Sequence, residues 1–216
     1  RISKGDLPAK IADSYHGDFN EIKNNLNRAI DAVNALVTDA NMLSRSAVEG
    51  KLATRADASA HHGDFRKIVQ GVNDTLDAVI GPLNVAATYV DRISRGEIPA
   101  KITDNYSGDF NEIKNNLNRC IDAIHALVGD ANMLSHAAVE GKLSTRANAS
   151  QHQGDFRKIV QGVNDTLDAV IGPLNVAATY VDRISRGDIP AEIADSYNGD
   201  FNEIKNNLNR AIQAVD

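Results

Sequence analysis

Tryptophan is absent from the 216-residue sequence, and aromatic residues make up only 5% of it. The one cysteine, Cys120, excludes an internal disulfide framework, and no apolar stretch approaches the roughly 18 residues of a membrane-spanning helix. Acidic and basic residues are interspersed, with a formal net charge of -6 and no basic run to attract nucleic acid or anionic lipid. These shortages predict thin aliphatic cores, no membrane segment and no nucleic-acid partner.

The sequence repeats with a period of 91 residues, since the opening Arg-Ile-Ser returns at 92–94 and 183–185. The shorter motif Gly-Asp-Phe occurs at 17–19, 63–65, 108–110, 154–156 and 199–201. The unit is therefore about 45 residues long, in two alternating versions. Units of this size hold little core individually, so the pattern predicts an array whose function belongs to the repeats together.

A long helix is predicted after each Gly-Asp-Phe, because the apolar intervals there alternate between three and four residues, as in a coiled-coil heptad. This heptad seam comprises Phe110, Ile113, Leu117, Cys120, Ile124, Leu127, Ala131, Leu134 and Ala138, and an equivalent run begins at Phe19. The spacing predicts helices of about 30 residues. The aspartates of the motif are expected to be N-caps: Asp18, Asp64, Asp109, Asp155 and Asp200.

Two kinds of junction join successive units. Between Val79 and Leu83 the seam steps by four residues where the heptad requires three, which rotates it by about 100°. Pro82 lies within this step and removes one backbone hydrogen bond, so the sequence predicts a kink or a fresh first turn there and at Pro173. The junctions at Leu36 and Leu127 keep the heptad and are predicted to be smooth.

Each helix is expected to end at a glycine that opens a connector of about a dozen residues. Two apolar residues in each connector are expected to anchor it on the helices. The glycines and anchors are Gly5, Leu7 and Ile11; Gly50, Leu52 and Ala56; Gly96, Ile98 and Ile102; Gly141, Leu143 and Ala147; and Gly187, Ile189 and Ile193.

The connector length decides the architecture. Twelve extended residues span about 40 Å, enough to return along a 16-residue helix of about 24 Å, so the two helices of a unit are predicted to be parallel. One chain supplies only two such helices per unit, and a second identical chain would complete the bundle. The predicted fold is all-α: concatenated parallel four-helix bundles formed by a homodimer, each unit helix-connector-helix.

These features resemble the HAMP domain of bacterial receptors and sensor kinases. The resemblance rests on a first helix opening with Pro82-Leu83, the connector pattern from Gly96 to Ile102, and a second helix from Asp109. It covers the whole chain, which is similar to the poly-HAMP arrays of chemoreceptors and histidine kinases. The repeats are 1–35, a partial unit without its first helix, then 36–81, 82–126, 127–172 and 173–216.

We call 36–81 and 127–172 the even repeats; they lack the initial proline and carry alanine at the second anchor. The other three are the odd repeats. The resemblance implies a non-catalytic signal relay between an input sensor and an output kinase or methyl-accepting region, in chemotaxis or two-component signalling. The implied partners are a second copy of the chain and the adjacent sensor and output domains of the parent. We expect a cytoplasmic location, within a parent protein that can itself be membrane-anchored.

Histidines are the main candidates for site chemistry. His61, His62 and His152 fall in connectors, and His16 lies just before a Gly-Asp-Phe. With Gln151 taken as the counterpart of His61, no shared ligand set emerges, so these histidines are expected to be solvated loop residues. Cys120 is replaced by alanine at equivalent positions and is expected to be a small core residue. We therefore predict no catalytic residue, no metal and no cofactor.

Two alternatives remain open. An inert dimeric spacer would use the same fold. A monomeric helical solenoid that serves as a binding scaffold would have a similar repeat length. The dozen-residue connectors and narrow seams favour the bundles over the solenoid, since solenoids need short turns and broad apolar faces.

Overall fold

The computed structural model describes residues 1–215 apart from the side chain of Ser3, and the regular elements in that range are all helical. The helices are α1 Asp18–Val48, α2 Gly63–Ser94, α3 Gly108–Val139, α4 Gly154–Ser185 and α5 Gly199–Val215. Short 3-10 turns lie at Ile2–Lys4, Ala58–Ala60 and Ala149–Gln151. Because α1 has 31 residues and α2, α3 and α4 have 32 each, the predicted all-α class and helix length are confirmed.

The helices begin at Gly-Asp-Phe as predicted, but the aspartates do not cap them. In α1 the N-cap is Gly17, with φ 56°, and Asp18 is the first helical residue; no side chain makes a cap hydrogen bond there. The helices α2 to α5 begin one residue earlier, at the glycine itself, so the N-cap reading of Asp18, Asp64, Asp109, Asp155 and Asp200 is wrong. These carboxylates lie instead in the first turn, where they interact favourably with the positive end of the helix dipole.

The helices end as the glycines predict. At the end of α1 the Gly50 N–H bonds the Ala47 carbonyl at 3.1 Å and the Lys51 N–H bonds the Ser46 carbonyl at 2.8 Å, which is a Schellman motif. Gly50 supplies the left-handed conformation this motif needs, with φ 73°. After α4 the same motif is followed by a hydrogen bond from Arg183 to Asp188, which lowers the pKa of that carboxyl.

The helices run unbroken through both kinds of junction. Pro82 lies inside α2 and Pro173 inside α4, so the fresh first turn considered at these residues is wrong. A proline inside a helix removes one hydrogen bond to the carbonyl four residues earlier, and the chain continues past that loss. Each long helix thus serves as the second helix of one repeat and the first helix of the next.

Two compact units make up the chain, Arg1–Arg95 and Gly96–Asp216, and each contains one complete even repeat. In the first unit, Asp39, near the start of the repeat, contacts His61, which lies at the end of the connector. Arg55, early in the connector, contacts Asp77, near the end of the second helix. The connector therefore runs back along the helices, and the helices of the repeat are parallel, as predicted. The same order of contacts recurs in the second unit, from Asp130 to His152 and from Arg146 to Asp168.

Candidate functional site

An asparagine on the second helix of every repeat fastens the connector to that helix. In the first even repeat, Asn73 Oδ1 accepts a hydrogen bond from the Ala56 N–H at 3.2 Å, and its Nδ2 donates to the Ala56 carbonyl at 2.8 Å. We call this pair of bonds the asparagine clasp. It also joins Asn27 to Ile11, Asn118 to Ile102, Asn164 to Ala147 and Asn209 to Ile193.

The clasp pairs both backbone groups of one connector residue. A carboxamide presents one acceptor and two donors, so it can bond the N–H and C=O of one residue much as a neighbouring strand would. Buried backbone groups without such a partner are costly. The sequence analysis missed these asparagines, although a signal was present: each stands nine residues after the aspartate of its Gly-Asp-Phe.

The second anchor of the connector is the residue that the clasp holds, and it is well covered. Ala56, Ile102, Ala147 and Ile193 are each 5% exposed. The first anchors of the even repeats behave differently, since Leu52 is 43% exposed and Leu143 is 42% exposed. Within one chain, the even connectors are therefore anchored at the second position and open at the first.

The residue before the second anchor also contacts the second helix. The Arg55 Nη2 lies 2.7 Å from Asp77 Oδ1, and the same guanidinium donates to the carbonyls of Leu52 and Thr54. Equivalent ion pairs join Arg146 to Asp168, Lys10 to Asp31 and Lys101 to Asp122. In the last repeat Glu192 and Gln213 replace both partners and still hydrogen-bond at 2.7 Å. Exposed pairs of this kind contribute about 1 kcal/mol or less each, so they help to position the connector but add little to its stability.

Two histidines prove to be buried, contrary to the expectation of solvated loops. His61 is 4% exposed and His152 is 5% exposed, and each Nε2 lies 2.6 Å from an aspartate oxygen of the preceding helix, on Asp39 and Asp130 respectively. The comparison with Gln151 was wrong, because the period of 91 residues places His61 onto His152. The sequence of the connector alone does not indicate that His61 is buried, because its partner aspartate lies 22 residues earlier.

The heptad seam is open to solvent in the single chain. On α2 the seam residues Ile68, Val72 and Val79 are 49%, 42% and 41% exposed. The buried residues of the same helix, Val69 and Ile80, belong to a neighbouring stripe. Cys120 is also exposed, so its expected core position is not reached within one chain. Each long helix thus buries one stripe in its own chain and presents a second, apolar one.

The described residues include neither a metal-binding cluster of side chains nor a membrane-spanning helix. Residues 1–215 contain no group of three or more histidine, cysteine, aspartate or glutamate side chains placed to hold a metal ion. None of the described helices combines the length and apolar character needed to cross a bilayer. The contacts that recur from repeat to repeat are instead those that position a connector on a pair of helices.

Parallel helices, a clasped connector and an exposed heptad seam define a repeated helical module. The family model of the HAMP domain matches residues 1–35, 60–126 and 151–216, so the chain belongs to the HAMP domain family. HAMP domains are signal-transmission modules of sensor proteins. The unmatched stretches fall in the first helix and connector of the even repeats, which carry no proline and have alanine at the second anchor. No solved structure matches the chain.

Proposed function

We propose that the chain is a signal relay that works as a parallel homodimer, with the heptad seams of two copies facing one another. The observation that carries this proposal is the open seam: large aliphatic side chains at heptad spacing are 41–49% exposed along α2. Contiguous exposed apolar surface of this kind marks an interaction site. A second copy in parallel register would cover every repeat at once, because each repeat presents the same stripe.

The relay would pass a change of helix packing from a sensor before the array to a kinase or methyl-accepting region after it. Support comes from the continuous helices, which carry any rotation or shift of one repeat directly into the next. Small seam residues such as Thr75, Ala86 and Cys120 specify one packing less sharply than leucine or isoleucine would. Small free-energy differences between packings are what a two-state relay requires. The alternative, an inert spacer, would form the same dimer but would not switch between two packings.

Oxidation of Cys120 tests the parallel dimer. Parallel copies in register place the two Cys120 thiols on facing seams, so mild oxidation is expected to convert most of the chain into a covalent dimer, seen on a non-reducing gel. The matched control replaces Cys120 by alanine and places the cysteine at Asn115, which is exposed and lies on the opposite side of α3. Equal cross-linking of the two proteins would contradict the seam-to-seam dimer.

Deletion of Pro82 tests relay against spacer. The deletion shortens the step from Val79 to Leu83 to three residues and removes the rotation of about 100° between the neighbouring repeats. In a chimaera with a sensor and a kinase output, we expect the output to be biased toward one state or uncoupled from the stimulus. The control is Pro82→Ala, which keeps the residue count. Output that follows the stimulus normally after the deletion would contradict the relay.

A further inference from the structure

The two even repeats contain the same polar contact, between a buried histidine of the connector and an aspartate of the first helix. His61 approaches Asp39 and His152 approaches Asp130, each at 2.6 Å between Nε2 and Oδ2. The histidine side chains are 2% exposed in both pairs, and the aspartates are 24% and 22% exposed. Because an ionised carboxylate only accepts hydrogen bonds, the imidazole donates from Nε2. The contact joins the first helix of the repeat to the end of its connector.

The odd repeats place different chemistry at these positions. Two residues before each glycine of Gly-Asp-Phe they carry Tyr15, Tyr106 and Tyr197, where the even repeats carry histidine. Eleven residues before the connector glycine, valine stands where the even repeats have aspartate, as at Val176. In the second compact unit, Val176 and Tyr197 line one small apolar cavity of about 10 Å³. In this last repeat, apolar side chains therefore lie where the even repeats have the histidine and the aspartate.

These two kinds of contact respond differently to rotation of a helix. A rotation of about 25° moves an atom on the helix surface by roughly 2–3 Å, given the usual helix radius with side chains. An aliphatic and an aromatic side chain stay in contact through such a slide, since dispersion has little directionality. A hydrogen bond of 2.6 Å does not survive it, and the buried imidazole would then lose its partner, whereas the partly exposed carboxylate would be solvated by water.

We propose that the His61–Asp39 and His152–Asp130 pairs are latches that hold the first helix of each even repeat in one rotation against its connector. The odd repeats, which lack the latch, move more freely, so the array alternates between gradual and all-or-none elements. A signal crosses an even repeat only by breaking its pair. This proposal deepens the relay proposed above and rests on it for its role in signalling, whereas the latch itself is a property of each repeat.

Cysteine reporters on the seam measure the rotation. In the Cys120→Ala background, Ala40→Cys and Leu43→Cys lie on the first helix of the even repeat and stand about 60° apart around α1, so the ratio of their cross-linking rates reports the rotation of that helix. The exchange of Asp39→Val together with His61→Tyr gives the even repeat the residues of an odd one. We expect the exchange to change the ratio by about fivefold or more, the lower end of typical coupling between sites. An unchanged ratio would overturn the latch.

The second even repeat separates the latch from the relay. Ala131 and Leu134 lie one period of 91 residues after Ala40 and Leu43, so Ala131→Cys and Leu134→Cys are matched reporters on the helix of the intact His152–Asp130 pair. A change of ratio in both repeats supports latch and relay together. A change confined to Ala40 and Leu43 supports the latch and contradicts transmission between the even repeats.

The tautomer of the His61 and His152 imidazoles tests the latch in a way that does not depend on the dimer. In long-range nitrogen NMR spectra of the chain, His61 and His152 are expected to show a fixed Nε2–H tautomer, while the other four histidines average between forms. Asp39→Val should release His61 and leave His152 fixed. Averaged spectra for His61 and His152 in the unaltered chain would overturn the latch, even if no cross-link formed at any reporter.

Discussion

Replacing Ile68 and its counterpart Ile159 by glutamate is expected to dissociate the proposed dimer and leave the single chain folded. Both isoleucines lie on the seam and are about half exposed within one chain, at 49% and 50%. A glutamate there remains hydrated in the monomer, whereas the dimer would bury it among apolar side chains without a partner. Each buried unpaired carboxylate costs several kcal/mol, so the dissociation constant should rise by about 100-fold or more in sedimentation equilibrium.

Two residues further along the same helix lies the control. Gln70→Glu adds the same charge to an exposed side chain on the face opposite the seam, where its contact is a surface hydrogen bond to Asp74. Changes at such sites are usually within about 0.5 kcal/mol, so the dimer should persist. If both substitutions leave the dissociation constant alike, the seam is not the interface, and an open apolar stripe would need another occupant.

Helix positions and topology were predictable from this sequence because their causes are local and repeated five times. A glycine that adopts positive φ after the last turn ends a helix, as Gly50 does after α1, and heptad spacing continues through a junction whatever the partner helix is. Parallel pairing followed from the reach of twelve residues, and the contacts of Arg55 with Asp77 and of His61 with Asp39 agree with it. The predicted aspartate N-caps were wrong because Gly17 is the N-cap of α1 and the other four helices begin at the glycine itself, which places every aspartate inside the first turn.

The site was less predictable, since it depends on pairs far apart in sequence. Nothing beside His61 indicates burial, and its partner Asp39 looks like a surface residue of an amphipathic helix. The asparagine clasp left a stronger trace: asparagine is a poor helix former, yet one stands at the same helical position in all five repeats. A residue that opposes local preference at a fixed place in every repeat indicates a tertiary contact.

The asparagine clasp is expected to carry much of the stability of the connector. Asn73→Ala removes the hydrogen-bond partners of the Ala56 N–H and of the Ala56 carbonyl. Both hydrogen bonds are buried, and Asn73 itself is only 9% exposed. Leaving a buried donor or acceptor unsatisfied costs about 1–3 kcal/mol each, which outweighs the roughly 0.5 kcal/mol gained from the better helix former. The free energy of unfolding should therefore fall by about 2–4 kcal/mol, and the Ala56 amide should exchange its hydrogen much faster.

The same substitution elsewhere on α2 should have the opposite sign. Asn84 is exposed, so Asn84→Ala removes no buried contact and is expected to stabilise the helix by a few tenths of a kcal/mol through propensity alone. Asn73→Asp adds a finer test, because the carboxylate keeps the acceptor for the Ala56 N–H and turns a second oxygen toward the Ala56 carbonyl. Since that oxygen cannot donate, Asp should be nearly as damaging as Ala at this position. Full retention of stability by either variant would show that the connector is held by apolar burial of Ala56 rather than by the clasp.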